Sequence, residues 1–239
     1  MTRSRTRVLG MLLITVLLCV REASAHRDDY LNETLVYTTL EQSELEAEYW
    51  FDYGRQSGGH GDFSRHSTAI EFGITDSWMV DGRVSVASKE EQGTNFDLAR
   101  LESRYRFLDE GVLPVDIAVS FEVNSERKSN GSRTVGIEPR LILSKDLGEK
   151  LNLTANLSEE IPLDSESPAF LVAFGSRFNW TKLVRVGSEF QYNFGEHSGL
   201  VIPQLWFAFP RDITMKIGYS IGVDQEPDDF FRIALEAGF

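Results

Sequence analysis

The chain alternates between apolar and polar positions along most of its length. The final nine residues show this most clearly, because every second position from Phe231 to Phe239 is apolar, while Arg232 and Glu236 lie in between. A period of two places the apolar side chains on one face of a β-strand. Twelve such sets follow one another from Leu45 to Phe239, without a convincing helical pattern. The alternation therefore predicts an all-β domain of about twelve strands.

The length of these sets matches that of membrane-spanning strands. Each has about the 9–11 residues that a tilted strand needs to cross a bilayer. Short turns alternate with longer polar loops, as in transmembrane barrels. A soluble all-β sandwich or lipocalin-like barrel would show the same alternation, with its apolar face turned inward. Aromatic side chains near the strand ends favour membrane interfaces instead: Tyr53, Trp78, Phe107, Trp180, Phe194, Phe209 and Phe239. We predict a transmembrane antiparallel up-and-down β-barrel over residues 44–239, with both ends periplasmic. The last strand should close it by pairing with the strand around Leu45–Tyr53.

The first 25 residues have the features of an export signal. Basic residues at the start are followed by an uncharged stretch over residues 8–20, and Ala23-Ser24-Ala25 fits a cleavage site. That stretch is shorter than the roughly 20 residues of a membrane-spanning helix. We therefore predict a signal peptide over residues 1–25 that is removed from the mature protein.

Residues 26–43 do not share the alternation of the rest of the chain. Their apolar residues, Leu35, Val36, Tyr37 and Leu40, could form a short strand. The segment could equally be a periplasmic lead or could lie inside the barrel lumen. The sequence does not choose among these positions.

The signal and the last strand together resemble Gram-negative outer-membrane β-barrel proteins of the transporter or porin-like type. The resemblance implies that the protein resides in the cell outer membrane, with membrane lipid as a partner. It also implies that the barrel-assembly machinery reads the terminal strand, with the assembly signal carried by Phe231, Ile233, Leu235 and Phe239.

Charge and cysteine content narrow the possible functions. The chain carries a net charge of −13 and residues 1–25 carry +3, which leaves −16 for the remainder. Such acidity argues against nucleic acid as a partner, because nucleic acid requires a basic surface. Cys19 is the only cysteine and lies within the predicted signal. The mature chain therefore has no disulfide and no thiolate metal site, and we expect no cofactor.

The polar positions between the apolar ones form a second face with charges of both signs. A charged side chain facing lipid near the bilayer midplane costs about 2–4 kcal/mol. We therefore expect the charged face to line the lumen, with these candidates: Glu71, Arg83, Arg100, Glu102, Arg104, Arg106, Asp116, Glu122, Glu138, Arg140, Arg185, Glu189, Arg232 and Glu236.

Simple hairpin registers would pair some of these charges across neighbouring strands. In the simplest registers Arg106 lies opposite Asp116, and Glu71 lies opposite Arg83. Cross-strand opposite charges contribute roughly 0.2–1 kcal/mol each. The charged face is compatible with a salt-bridged, nearly filled interior and with a narrow charged pathway, since barrels of twelve strands lie between packed and open sizes.

The histidines do not form a recognisable catalytic or metal site. His60 and His66 bracket a glycine-rich loop with Asp62, but their spacing matches no established ligand motif. His66 and His197 are each followed by a serine, and adjacent strand residues point to opposite faces. Neither pair can therefore act as nucleophile and base together. We expect no metal site and no enzyme.

Three functions follow from these features. The first is a narrow channel or transporter-like pore for small solutes, based on the two-signed charged lumen. The alternative is a structural or surface-interaction protein of the outer membrane with a sealed, salt-bridged lumen. The third is an enzyme that modifies lipids of the outer leaflet.

Overall fold

The computed structural model describes residues 29–32, 34–56, 61–90, 93–128, 131–164, 167–224 and 228–239. The predicted signal over residues 1–25 lies outside this range. In the described residues the chain runs through successive antiparallel strands. They are β1 (Leu45–Arg55), β2 (Asp62–Thr75), β3 (Trp78–Lys89), β4 (Gly93–Arg106), β5 (Asp116–Arg127), β6 (Arg133–Leu147), β7 (Leu151–Pro162), β8 (Ala169–Asn179), β9 (Val184–Asn193), β10 (Ser198–Phe209), β11 (Ile213–Tyr219), β12 (Ile221–Asp224) and β13 (Asp229–Gly238).

The sheet closes on itself. Consecutive strands pair antiparallel from β1 to β10, and β13 pairs with both β1 and β11. At the closure, Phe239 N donates to Leu45 O at 2.8 Å, and Leu45 N donates to Phe239 O at 3.3 Å. The predicted pairing of the last strand with the strand around Leu45–Tyr53 is thus confirmed. Each strand from β1 to β11, and β13, therefore has at least two paired neighbours, while the short β12 pairs with β10 alone among the described strands. Closure of this kind removes the open edges of a sheet.

Strands β11 and β12 are two parts of one strand, so the barrel has twelve. Gln204 faces Gly218 and Val201 faces Ile221, which is the same register on both sides of Ser220. The interruption lies beside Pro203 of β10, which has no backbone N–H to donate. The prediction of a twelve-stranded up-and-down barrel is confirmed.

The apolar face of the barrel points outward. In β1 the side chains of Glu46, Glu48 and Asp52 are buried, whereas Tyr49 is exposed. On β2 the outward Ile70 is 62% exposed. This orientation is the reverse of the soluble sandwich or lipocalin-like barrel. An apolar outer surface with charges inside is what a bilayer-spanning barrel requires. Among the described residues, no helix is long and apolar enough to cross a membrane.

The hairpin between β4 and β5 has a different register from the simplest one. Arg106 lies opposite Ala118, not opposite Asp116. Nine residues, 107–115, connect these strands, so the hairpin is not a tight turn. A longer loop leaves the register to the packing of the strands rather than to turn geometry. The predicted Arg106–Asp116 pairing is therefore wrong.

The hairpin between β2 and β3 is shifted by an irregularity. Glu71 lies opposite Asp81 instead of Arg83, because the turn pairs Thr75 with Trp78 and the register then changes by one residue between Thr75 and Gly73. Such a bulge inserts one residue in one strand and moves every later pair. The predicted pairing of Glu71 with Arg83 is also wrong, although both side chains remain on the inner face.

The two ends of the barrel are defined by their connections. The end that holds the start of β1, the end of β13 and the turn at residues 76–77 is called the turn end, and the opposite end is called the loop end. The connection over residues 107–115 belongs to the turn end, and it is longer than the loop-end connection over residues 128–132. The expected contrast between short turns and longer loops is therefore weaker than predicted.

Candidate pore and lumen segment

The charged side chains lie on the inner wall. Of the fourteen candidates from the sequence, ten are buried and four are partly buried: Arg106, Glu138, Arg140 and Arg185. Trp50 also lies on the inner wall, although it is not among these candidates. Its position between Glu48 and Asp52 with the same parity was a usable signal. The alternation does not single out the polar uncharged residues of the wall either, because it does not distinguish an amide that has a function from one that has none.

Arginines and carboxylates alternate around the wall as ion pairs. Arg232 donates to both oxygens of Asp52 at 2.6 and 2.8 Å. Arg83 binds Glu48. Arg100 lies 3.4 Å from Asp81 and 3.6 Å from Glu122, Arg140 lies 2.6 Å from Glu138, and Lys216 binds Glu236. These pairs supply opposite charge to side chains that are withdrawn from bulk water, where a lone charge would be costly.

Trp50 lies between two of these arginines. The guanidinium carbon of Arg83 is 3.4 Å from the Trp50 ring centroid, and that of Arg232 is 4.4 Å away. A desolvated cation–π contact contributes about 2 kcal/mol. The indole therefore holds both guanidinium groups at fixed positions on the wall.

Residues 29–32 and 34–40, called here the lumen segment, lie inside the barrel. The segment continues into β1 through a turn at Glu41–Glu44, in which Ser43 has a φ of 69°. At the turn end, Thr39 Oγ1 donates to Asp76 O at 2.8 Å, and Arg106 Nε donates to Thr39 Oγ1 at 3.1 Å. Of the positions that the sequence left open for residues 26–43, residues 29–32 and 34–40 take the one inside the lumen, and residues 41–43 of the turn that follows them are exposed.

The far end of the lumen segment folds back on itself. Tyr30 N donates to Thr34 O at 3.1 Å, and Val36 N donates to Asp29 Oδ1 at 2.7 Å. Asn32 lies at the tip of this loop, where its side chain donates to Gln191 Oε1 at 2.8 Å. The segment is thus a compact loop across the lumen and adds no strand to the sheet in the part of the chain that the structure describes.

Apolar side chains of the lumen segment pack on an apolar part of the inner wall. They form three small clusters: Leu31 with Trp50, Ile202 and Ala234; Leu35 and Tyr37 with Ala118 and Ile142; and Tyr30 and Val36 with Trp206. Burial, and next the Glu110 carboxylate, raise the pKa of the Tyr37 hydroxyl, so this phenol stays neutral. Inward-facing apolar residues are unexpected in a water-filled pore, and the segment explains them.

A cavity of about 420 Å³ lies between the lumen segment and the loop end. Asn32 contributes to its lining, together with Trp50 and Arg232. A few apolar residues, such as Leu98, Leu171 and Leu200, also line it. The rest of its wall carries serines, asparagines and charged residues that include Arg65, Arg83, Arg100, Arg140, Asp97, Glu122, Glu126, Glu138, Glu160 and Glu196. The cavity is therefore a charged compartment with the tip of the segment at its base.

The charges of the cavity do not balance. Each of its five arginines has a carboxylate within 4.0 Å. In contrast, Glu126, Glu160 and Glu196 form no ion pair with the described residues. The cavity wall carries five arginines and six acidic residues, and three of the acidic residues lack a cationic partner among the described residues.

Three carboxylates near the turn end could approach a metal ion. Glu46, Glu48 and Glu236 each offer an oxygen, and these oxygens lie within 4.8 Å of one another. Arg83 binds Glu48 and Lys216 binds Glu236, so two of the three already have a cationic partner. The cluster is accounted for as part of the wall network.

Comparison with known proteins supports the fold. No protein-family model matches the chain, and no curated protein matches it. Among solved structures, the KdgM porin is similar with a TM-score of 0.61 at 12% identity, over 81% of this chain and 99% of that chain. An outer-membrane channel from Pseudomonas putida F1 has a TM-score of 0.60 at 9% identity, over 84% and 97%. The NanC porin has a TM-score of 0.55 at 15% identity, over 78% and 98%. These neighbours are porins and channels, and the chain has the fold of an outer-membrane β-barrel of this type.

Proposed function

We propose that this protein is an outer-membrane channel for small polar solutes. The observation that carries the proposal is the cavity of about 420 Å³ inside a closed barrel, with a wall of paired charges. Packed eight-stranded barrels have no such space, whereas twelve strands leave room for a narrow passage. The apolar outer face and the similarity to porins support the outer membrane as its location.

We propose further that the channel prefers cations. Glu126, Glu160 and Glu196 add negative charge to the cavity without a described cationic partner, whereas the cavity arginines are neutralised. A cation entering the cavity therefore gains favourable electrostatic interactions, and an anion meets an excess of like charge. Rings of acidic side chains select cations in channels.

This pattern of charges argues against assigning to this protein the acidic ligand that is bound in one similar porin structure. One similar structure is the KdgM porin in complex with disordered oligogalacturonate, at 11% identity and a TM-score of 0.59. That ligand is a polyanion. The cavity of the present chain presents arginines that are already paired, so we do not propose an acidic oligosaccharide as its solute.

Current recordings in planar bilayers test the proposal. The refolded protein should give discrete current steps, and its reversal potential in a KCl gradient should indicate preference for K⁺. Liposomes that contain the protein should swell in small polar solutes. Absence of both current and swelling, from the wild type and from variants with a displaced lumen segment, would contradict a channel function.

A second candidate is a structural or surface-interaction protein with a sealed lumen. The observation in its favour is that the lumen segment fills the barrel between Asn32 and the turn end. In that case loop-end residues such as 125–132 would carry the function. Shortening this loop should then abolish the cellular phenotype and leave permeability unchanged, whereas a channel should keep its current.

We infer a non-enzymatic role. His66, one of the two histidines that precede a serine, has its Nδ1 2.7 Å from Tyr49 Oη, and its ring centroid is 5.1 Å from that of Phe51. Such an aromatic group on the outer face is typical of a membrane interface. Replacing His66 and His197 should leave lipid composition unchanged, and a change in lipid hydrolysis would revive the enzyme hypothesis.

A further inference from the structure

The inner wall binds the main chain of the lumen segment as a receptor binds a peptide. Asn156 accepts from Leu35 N at 2.7 Å and donates to Leu35 O at 2.8 Å. Gln204 accepts from Leu31 N at 2.8 Å. Further wall contacts to the main chain are Glu189 with Asn32 N and Thr34 N, Arg232 with Leu31 O, Arg104 with Val36 O, and Lys216 with Asp29 O. Peptide sites use main-chain hydrogen bonds for affinity and side-chain pockets for specificity.

Two glycines of the wall form the side-chain pockets. A Cβ at Gly175 would lie 2.5 Å from the ring of Tyr30, and a Cβ at Gly218 would lie 2.4 Å from Leu31 Cδ2. Glycine weakens the interior of a strand because it has no side chain to pack, so its presence points to close approach of another group. Glycine at these two wall positions therefore leaves room for the segment, because a side chain there would collide with it.

The barrel does not depend on the segment for its own hydrogen bonds. The sheet closes through β13 and β1, and the described part of the segment joins none of the strand ladders. Only the turn at Glu41–Glu44 connects the segment covalently to β1. The wall groups that hydrogen-bond the segment are polar, so water can replace these contacts on release, whereas the apolar contacts of the segment would be lost.

We propose that the lumen segment is a built-in peptide ligand that closes the channel, and that the wall beneath it is a peptide-binding site. The inference rests on the proposed channel function and adds its regulation. With the segment bound, the passage from the cavity to the turn end is occupied. With the segment displaced, the same wall presents amide, carboxylate and cationic groups to an extended peptide with aromatic and leucine side chains.

The first test uses full-length variants in planar bilayers. Leu31→Asp/Leu35→Asp places two charges in apolar pockets and should displace the segment, which should raise the conductance several-fold over wild type. Gln42→Asp adds a charge in the exposed turn outside the lumen and serves as the matched control. Heat-modifiable migration in gels verifies that each variant is folded.

A second variant keeps the test decisive if the charged one fails to fold. Asn156→Ala/Gln204→Ala removes wall contacts to Leu31 and Leu35 and introduces no charge. It should raise the conductance less than the charged variant, but in the same direction. Equal conductance of wild type and folded variants would overturn closure by the segment and leave the channel function standing. Absence of current from all of them would overturn the channel function itself.

The peptide-binding site has its own test. A synthetic peptide with the sequence of residues 29–40 is added to the displaced variant, and a scrambled peptide of the same composition serves as control. The native-sequence peptide should return the conductance toward the wild-type value. Equal effects of the two peptides would overturn the binding site, even if the segment proves to close the channel.

Discussion

Arg232 of β13 binds Asp52 of β1 through two hydrogen bonds of 2.6 and 2.8 Å, across the seam where the first and last strands meet. Both side chains are buried, and Arg232 also donates to Leu31 O at 3.0 Å. One guanidinium group thus joins the barrel closure, the wall network and the lumen segment.

Removing this guanidinium should destabilise the barrel. Arg232→Ala leaves the Asp52 carboxylate buried without its bidentate partner, and breaking a buried pair in this way costs about 3–5 kcal/mol. The temperature at which the folded form converts to the unfolded form, measured by heat-modifiable migration on a gel, should fall. Arg232→Lys keeps the charge but loses the second hydrogen bond. Its transition temperature should therefore lie between those of the wild type and Arg232→Ala. An unchanged transition in Arg232→Ala would show that the seam is held by the backbone ladder alone.

Filling the pocket of Tyr30 should loosen the lumen segment. Gly175→Ala puts a methyl group into the space of the phenol ring, and overpacking of this kind costs about 1–3 kcal/mol. A Leu35→Cys reporter should then react faster with a water-soluble maleimide than it does in the parent. Gly82→Ala is the control, because nothing lies within 4 Å of its added Cβ. Equal labelling in both backgrounds would argue against the fitted pocket.

Charge removal inside the cavity should reduce cation preference. Glu160 lines the cavity, whereas its neighbour Glu159 is exposed on the other face of β7. Glu160→Gln should therefore move the reversal potential in a KCl gradient toward zero, and Glu159→Gln should not. If the two variants behave alike, the selectivity arises from the general surface charge and not from the cavity.

Adjacent residues at one depth should differ in their tolerance of charge. Leu157 belongs to the outward apolar set and Ser158 lines the cavity. Leu157→Arg should cost about 2–4 kcal/mol in a bilayer, because the charge meets lipid, whereas Ser158→Arg faces the polar interior. Urea titration in lipid vesicles measures the difference. A larger loss for Ser158→Arg would contradict the assignment of the two faces.

The terminal phenylalanine should matter more for assembly in cells than for stability. Phe239→Ala should lower the amount of protein in the outer membrane, since the terminal strand is proposed as the signal for the assembly machinery. Refolding into detergent should change little, because the backbone bonds to Leu45 remain. Phe209→Ala removes an exposed aromatic ring elsewhere and is the control. Equal amounts of the two variants in the outer membrane would contradict the assignment of the terminal strand as the assembly signal.

The sequence allowed the barrel to be predicted because strand periodicity is local. The parity of Phe231, Ile233 and Leu235 specifies one face, and Arg232 and Glu236 specify the other, whatever the neighbouring strands are. The same parity explains why the predicted lumen candidates lie together on the inner wall. Residues such as Asn156 and Gln204 escaped notice because their role comes from contacts more than 100 residues away in the chain.

Register and lumen occupancy could not be predicted in this way. The register that places Glu71 opposite Asp81 comes from the two-residue turn at 76–77 together with a bulge between Gly73 and Thr75, and the alternation does not specify either feature. The position of the lumen segment depends on pockets at Gly175 and Gly218, contributed by strands distant in sequence.

The sequence by itself determined the strand number, the division into an apolar and a charged face, and the pairing of the chain's two ends. These properties follow from side-chain alternation and from the cost of placing charge in lipid. Only the tertiary structure decided which charges pair and what fills the interior. Those outcomes depend on barrel closure, which brings Arg232 to Asp52 and shapes a lumen that the lumen segment can occupy.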